Sequence, residues 1–121
     1  MATILTVDDS LSIRQMIKVT LEPAGHSVIE AGDGAQGLAQ AQAKRPDLVI
    51  TDLNMPMMNG LELIRALRKQ PTLTGLPIVF LTTESNEAVK QEAKSAGATG
   101  WITKPFRPEQ LLAVIAKLVR S

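Results

Sequence analysis

Leu48-Val49-Ile50-Thr51-Asp52 and Ile78-Val79-Phe80-Leu81-Thr82 decide the fold of this chain. Both runs are apolar on consecutive residues, rich in β-branched side chains, preceded by a proline (Pro46, Pro77) and closed by polar groups. Their length suits a strand rather than a helix, and their lack of polar alternation suits a strand covered on both faces, the pattern of a parallel sheet. Working outward, Thr3 to Val7, Ser27 to Glu30 and Trp101 to Thr103 complete a set of five short β-rich runs.

Between the strands lie segments of helical period. The clearest are Ile13, Met16, Ile17, Thr20, Leu21, then Gly60, Leu63, Ile64, Leu67, and finally Leu111, Val114, Ile115, Leu118. Two Ala-rich segments, around Ala35, Leu38, Ala39 and around Val89, Ala93, Ala96, are also read as helices, with Gly37 costing the first about 1 kcal/mol relative to Ala. Ser10, Asp33, Asn59 or Gly60, and Asn86 stand where N-caps belong, and Gly25 and Gly97 where a left-handed residue ends a helix. All seven prolines fall between periodic segments. Strict βα alternation with right-handed crossovers predicts a doubly wound α/β domain, a five-stranded parallel sheet of flavodoxin-like (βα)5 order 2-1-3-4-5.

The chain has 121 residues, enough for one domain over 1–121 and too few for separate cofactor and substrate lobes. Its 13 Lys and Arg against 12 Asp and Glu are spread along the sequence, which disfavours nucleic acid or an anionic membrane as partner. Absence of cysteine excludes disulfides, thiolate metal sites and thiol nucleophiles. No basic leader precedes Asp8, and no apolar run approaches the ~20 residues that span a bilayer, so a cytoplasmic protein is expected.

Ligands of a doubly wound sheet bind beyond the carboxyl ends of its strands, so the residues after each run matter most. Those residues are Asp8-Asp9, Asp52, Thr82-Thr83-Glu84 and Thr103-Lys104-Pro105. In the order 2-1-3-4-5 the first and third strands are neighbours, which brings Asp8, Asp9 and Asp52 together. Clustered carboxylates must take up protons or hold a cation, and an all-oxygen donor set suits Mg²⁺ or Mn²⁺. Mg²⁺ commonly completes its shell with phosphate oxygens, which points to phosphoryl chemistry, with Lys104 as a point charge, Thr82 as a hydroxyl donor and Asp52 as nucleophile. Competing readings are an N-cap for Asp8, a surface ion pair for Lys104 and a simple strand end for Thr82.

Val7-Asp8-Asp9, Asp52-Leu53-Asn54-Met55-Pro56-Met57-Met58-Asn59-Gly60, Leu81-Thr82-Thr83 and Trp101-Ile102-Thr103-Lys104-Pro105-Phe106 together resemble the response-regulator receiver domain of two-component signalling, in its stand-alone, CheY-like chemotaxis form. The resemblance spans the whole chain. It implies that Asp52 accepts a phosphoryl group from a sensor histidine kinase (CheA-like), with Mg²⁺ held by Asp9, Asp52 and the backbone carbonyl of Asn54, and by Asp8 through water. It implies a cis peptide bond before Pro105. Thr82 and Trp101 match the switch hydroxyl and the switch aromatic, which bias the face formed by helix four, strand five and helix five. Trp101 stands where the family has Tyr or Phe, and Thr83 where a small Ala is common. Asn54 and Glu84, each two residues past a site residue, are expected to tune the lifetime of the phosphoryl group. Output is expected through a protein partner such as a flagellar motor switch component, with a phosphatase as a further partner, no effector domain, no catalysis beyond the chain's own phosphorylation and dephosphorylation, and a monomeric state.

Several signals weigh less. Gly32-Asp33-Gly34-Ala35-Gln36-Gly37 spells a dinucleotide-binding pattern, but follows the second strand rather than the first. A small Mg²⁺-dependent phosphohydrolase would share an Asp nucleophile, yet Asn54 occupies the place of its general acid. A single-domain phosphorelay intermediate outside chemotaxis is the nearer alternative. His26 is read as a solvated loop residue, and Met55, Met57 and Met58 as packing beneath their loop. Leu112 and Val119 lie outside the core stripe of the last helix and are candidates for an exposed docking face.

Overall fold

The computed structural model describes residues 2–53, 59–73, 75–82 and 87–119. Five strands, β1 (Thr3–Val7), β2 (Ser27–Ala31), β3 (Leu48–Asp52), β4 (Ile78–Thr82) and β5 (Gly100–Thr103), alternate with five helices, α1 (Leu11–Leu21), α2 (Gly34–Lys44), α3 (Gly60–Arg68), α4 (Glu87–Ala96) and α5 (Pro108–Leu118). All strands pair in parallel, in the order β2-β1-β3-β4-β5. The predicted α/β topology is therefore the observed one.

Pleating divides the apolar residues between two faces. Leu5 and Val7, Val49, and Ile78 and Phe80 meet Ala41 of α2, Leu63, Ile64 and Leu67 of α3, and Ala93 of α4. Ile4, Leu48 and Ile50, Val79 and Leu81, and Ile102 meet Ile17 and Leu21 of α1 and Leu111 and Ile115 of α5. The two central runs, Leu48–Asp52 and Ile78–Thr82, are buried at every position, as apolar side chains on both faces require.

Local chemistry explains the element ends. Ser10 caps α1 through its hydroxyl, Asp33 caps α2 through its carboxylate, and Asn59 forms a capping box with Glu62 at the start of α3. Asn59 is thus the cap and Gly60 the first helical residue. The expected cap Asn86 lies outside the described residues. Gly25 and Gly97 have positive φ, as expected, and Arg45 adopts the same left-handed conformation at the end of α2. Pro23 and Pro71 sit in short 3₁₀ turns that the periodicity did not announce.

Helix α2 corrects its predicted face. Ala35 and Ala39 are exposed, whereas Gly34, Gly37 and Ala41 are buried and Leu38 is half-buried. A Cβ at Gly37 would lie 2.8 Å from Cγ2 of Val7. Gly37 is the price of seating α2 closely on β1, and the pattern Gly32–Gly37 needs no phosphate to explain it. The amide of Gln36 donates to the Asp33 carboxylate at 2.8 Å, so a protein anion already occupies that helix N-terminus.

A candidate acidic phosphoacceptor site

The carboxyl ends of β1, β3, β4 and β5 deliver Asp8 and Asp9, Asp52, Thr82 and Lys104 to one rim. Asp8 follows β1 and is almost fully buried; its amide donates to Ala31 O at 3.1 Å and its Oδ1 accepts from the Ser10 amide at 2.9 Å. Asp9 is exposed. Asp52 is the last residue of β3 and retains 7% of its surface. One carboxylate oxygen from each of the three lies within 4.8 Å of the others.

Lys104 closes the cluster. Its ammonium lies 3.6 Å from Oδ2 of Asp8 and 3.5 Å from Oδ1 of Asp52. Its amide donates to Thr82 O at 2.8 Å, tying the loop after β5 to the end of β4, and the next peptide bond, Lys104–Pro105, is cis as expected. Thr82 ends β4 with no exposed surface. Of the predicted residues, Asp8, Asp9, Asp52 and the Lys104 ammonium thus lie together.

One cation does not satisfy three acids. Burial is the main cause that pushes the Asp8 carboxyl above its ordinary range, helped by the charges of Asp52 and Asp9 and opposed by the Ser10 amide and Lys104. Among the described residues, Oδ2 of Asp8 is buried without a hydrogen-bond donor. An orphaned carboxylate oxygen, facing two more carboxylates across a few ångströms, fits a small, hard divalent cation that prefers oxygen and keeps part of its water. Asp8, Asp9 and Asp52 are the residues that could hold it. The Asn54 carbonyl, Thr83 and Glu84 lie outside the described residues, as do Met55, Met57 and Met58.

Sequence reasoning missed Arg14. From the first turns of α1 it donates through Nη1 to the Asp8 carbonyl and through Nε to Oε1 of Glu30 at 3.1 Å, so it braces the β1–α1 turn against β2. The available signal was Glu30 itself, a carboxylate within a strand that needs a cationic partner. Trp101 is 39% exposed, its ring stacked on Phe80 with centroids 6.2 Å apart.

Two expectations about the periphery need correction. Leu112 and Val119 are half-buried against the core rather than open, because α5 packs against α1 and the aliphatic layer it shares with that helix. Large exposed apolar residues are instead Leu11, Val19 and Trp101. His26 is half-buried rather than solvated, with Nδ1 shielded and without a hydrogen-bond partner among the described residues. Among the described residues no helix is long and apolar enough to cross a membrane.

Comparison with known proteins agrees with this geometry. The response regulator receiver domain family matches residues 4–116. The chemotaxis protein CheY4 of Vibrio cholerae superposes with a TM-score of 0.94 at 50% identity, over 98% of this chain and 99% of that one. Protein PilH of Pseudomonas aeruginosa is 38% identical over 115 residues, 95% of each chain. The phosphate regulon transcriptional regulatory protein PhoB of the same organism is 39% identical over 118 residues, which are 98% of this chain and 52% of PhoB. The chain thus spans about half the length of PhoB and of several other curated relatives. Receiver domains are signalling switches rather than enzymes in the ordinary sense, and an acidic pocket that admits Mg²⁺ beside an acceptor carboxylate is what such a switch needs. On its sequence, strand order and CheY-like backbone, this chain belongs to the response regulator receiver family of two-component signalling.

Proposed function

We propose that Asp52 is the phosphoacceptor and that its modification, with Mg²⁺ bound, changes the affinity of this domain for a protein partner. The observation that carries this reading is the juxtaposition of Asp52 with Asp8, Asp9 and the Lys104 ammonium. A carboxylate oxygen of Asp52 attacks the phosphorus of a kinase phosphohistidine. The new O–P bond forms as the P–N bond breaks, and the leaving electron pair returns to the imidazole, which takes up a proton. Mg²⁺, held by Asp9, Asp52 and the Asn54 carbonyl and through water by Asp8, would neutralise charge on the phosphoryl oxygens. Lys104 holds a second positive charge over the same oxygens, and the Thr82 hydroxyl is the donor that follows them. Asn54 and Glu84, each two residues past a site residue in sequence, are the positions we propose set how long the acyl phosphate survives hydrolysis.

The likeness to CheY4 supports a chemotaxis-type role, and we propose that the chain acts in it as a single receiver domain over residues 1–121, monomeric and cytoplasmic. In that role a CheA-like histidine kinase supplies the phosphoryl group, and a flagellar motor switch component reads the α4–β5–α5 face. The end-to-end match to PilH favours a second reading, a single-domain phosphorelay intermediate outside chemotaxis.

The decisive experiment incubates the protein with Mg²⁺ and acetyl phosphate and looks for a covalent phosphoryl adduct. The adduct should be labile to hydroxylamine, absent after chelation of Mg²⁺ and absent in Asp52→Asn. An unchanged adduct in Asp52→Asn, or multiple turnover on added phosphate esters, would overturn the reading. Affinity capture with the phosphorylated protein against flagellar switch proteins separates the two roles.

A further inference from the structure

Trp101 is held where it is by more than its strand. It lies opposite Phe80 in the β4–β5 register, and Phe80 is a fully buried ring anchored in the core. The Lys90 ammonium, projecting from α4, sits 5.0 Å from the centroid of the Trp101 ring. Only 15% of the Lys90 side chain is exposed, although its Glu87 partner at 3.8 Å is largely in solvent. A cation drawn out of water beside an indole face gains more from the ring quadrupole than an exposed one does. The ring in turn walls a groove of about 310 Å³ with Val114, Lys117 and Leu118, so its position shapes the surface between β5 and α5.

We infer that Lys90 is the positioning residue of Trp101: its cation–π contact latches the indole against α4 at the surface and so biases the unphosphorylated domain toward its resting state. The inference rests on the proposed phosphorylation of Asp52 and on what the family resemblance implies for the switch aromatic Trp101, a ring that turns inward when the phosphoryl group is present. Moving the ring inward must break the contact between α4 and β5, and any partner that uses the groove beside α5 senses the change.

Trp101 is the sole tryptophan, so its fluorescence reads the latch directly. Lys90→Met retains the apolar stem and removes the charge, Lys90→Gln tests the same loss with a polar end, and Lys90→Arg restores a cation. In the unphosphorylated protein, Lys90→Met and Lys90→Gln should shift Trp101 emission and decrease its quenching by acrylamide, because an unlatched ring spends more time inward, and Lys90→Arg should resemble the parent. Titration with Mg²⁺ and beryllium fluoride, a phosphoryl mimic, should show a half-response at a roughly five-fold lower concentration in Lys90→Met, since a contact of this kind supports about that bias. Loss of a positive charge acting only through long-range attraction would move that midpoint the other way. If the parent responds to the mimic and Lys90→Met matches it in emission, quenching and midpoint, the latch is overturned alone. If the parent's Trp101 emission ignores the mimic while ¹⁹F NMR shows it bound at Asp52, the switch reading of Trp101 fails and the latch loses its regulatory meaning.

Discussion

At Asp8 the demands of stability and of chemistry oppose each other on one side chain. Its carboxylate is buried and faces Asp52 and Asp9, and among the described residues one of its oxygens lacks a donor. Because its native pKa lies above the ordinary 3.8, the folded protein keeps a proton that the unfolded chain releases. The contribution of Asp8 to the stability of the metal-free protein therefore falls as pH rises from that value through the native one, and the penalty is complete once pH has passed the native value. Asp8→Asn keeps an acceptor for the Ser10 amide and removes a charge, so without metal it should be more stable at pH 7 by about 1 kcal/mol, roughly 3–5 °C in Tm. Urea midpoints of both proteins across pH 3–8 check this, and curves that run parallel would refute it. Mg²⁺ should stabilise the parent by up to about 2.7 kcal/mol at a hundred times its Kd, and Asp9→Asn should lose most of that gain in a thermal melt.

Among the elements, the start of α3 is the one whose sequence serves the site. A Cβ at Gly60 would press on the Asp52 carbonyl oxygen and come within 2.7 Å of Leu53 Cα, and the Gly60 amide donates to Leu53 O at 3.1 Å. Backbone atoms cannot swing aside as a flexible side chain can. Gly60→Ala should cost about 1–3 kcal/mol and slow acetyl phosphate labelling by displacing Asp52. Asn59→Ala removes only the capping box, so it should cost about 1 kcal/mol and leave labelling of the folded protein near the parental rate. Equal labelling rates in the two variants would show that the Gly60 contact does not position Asp52. The Gly60 role was half legible: the residue was marked as a helix start, but its contact with β3 depends on where the helix returns to the sheet.

Taken whole, the molecule is two aliphatic layers sharing one sheet, because Leu5 and Val49 face α2 and α3 while Ile4 and Ile50 face α1 and α5. Damage to either layer exposes the same strands. Leu63→Ala and Ile17→Ala should therefore each cost about 2–5 kcal/mol and lower one common transition, seen at the same midpoint by far-UV circular dichroism and Trp101 fluorescence. A fluorescence transition that precedes the loss of helix would show that α4 and β5 unfold on their own.

What the sequence determined by itself was whatever depends on short-range pattern: the strand runs, the helical stripes of α1, α3 and α5, the caps at Ser10, Asp33 and Asn59, and, through strand order, the meeting of Asp8, Asp9, Asp52 and Lys104. These follow from periodicity and from the rule that parallel strands present their carboxyl ends to one rim. Only the tertiary structure decided which face of α2 is buried, that Leu112 and Val119 are half-buried, that Arg14 braces Asp8, and that Lys90 rests beside Trp101. Each of those depends on how closely two distant segments approach, a quantity set by packing of the whole core and carried by no local run of residues.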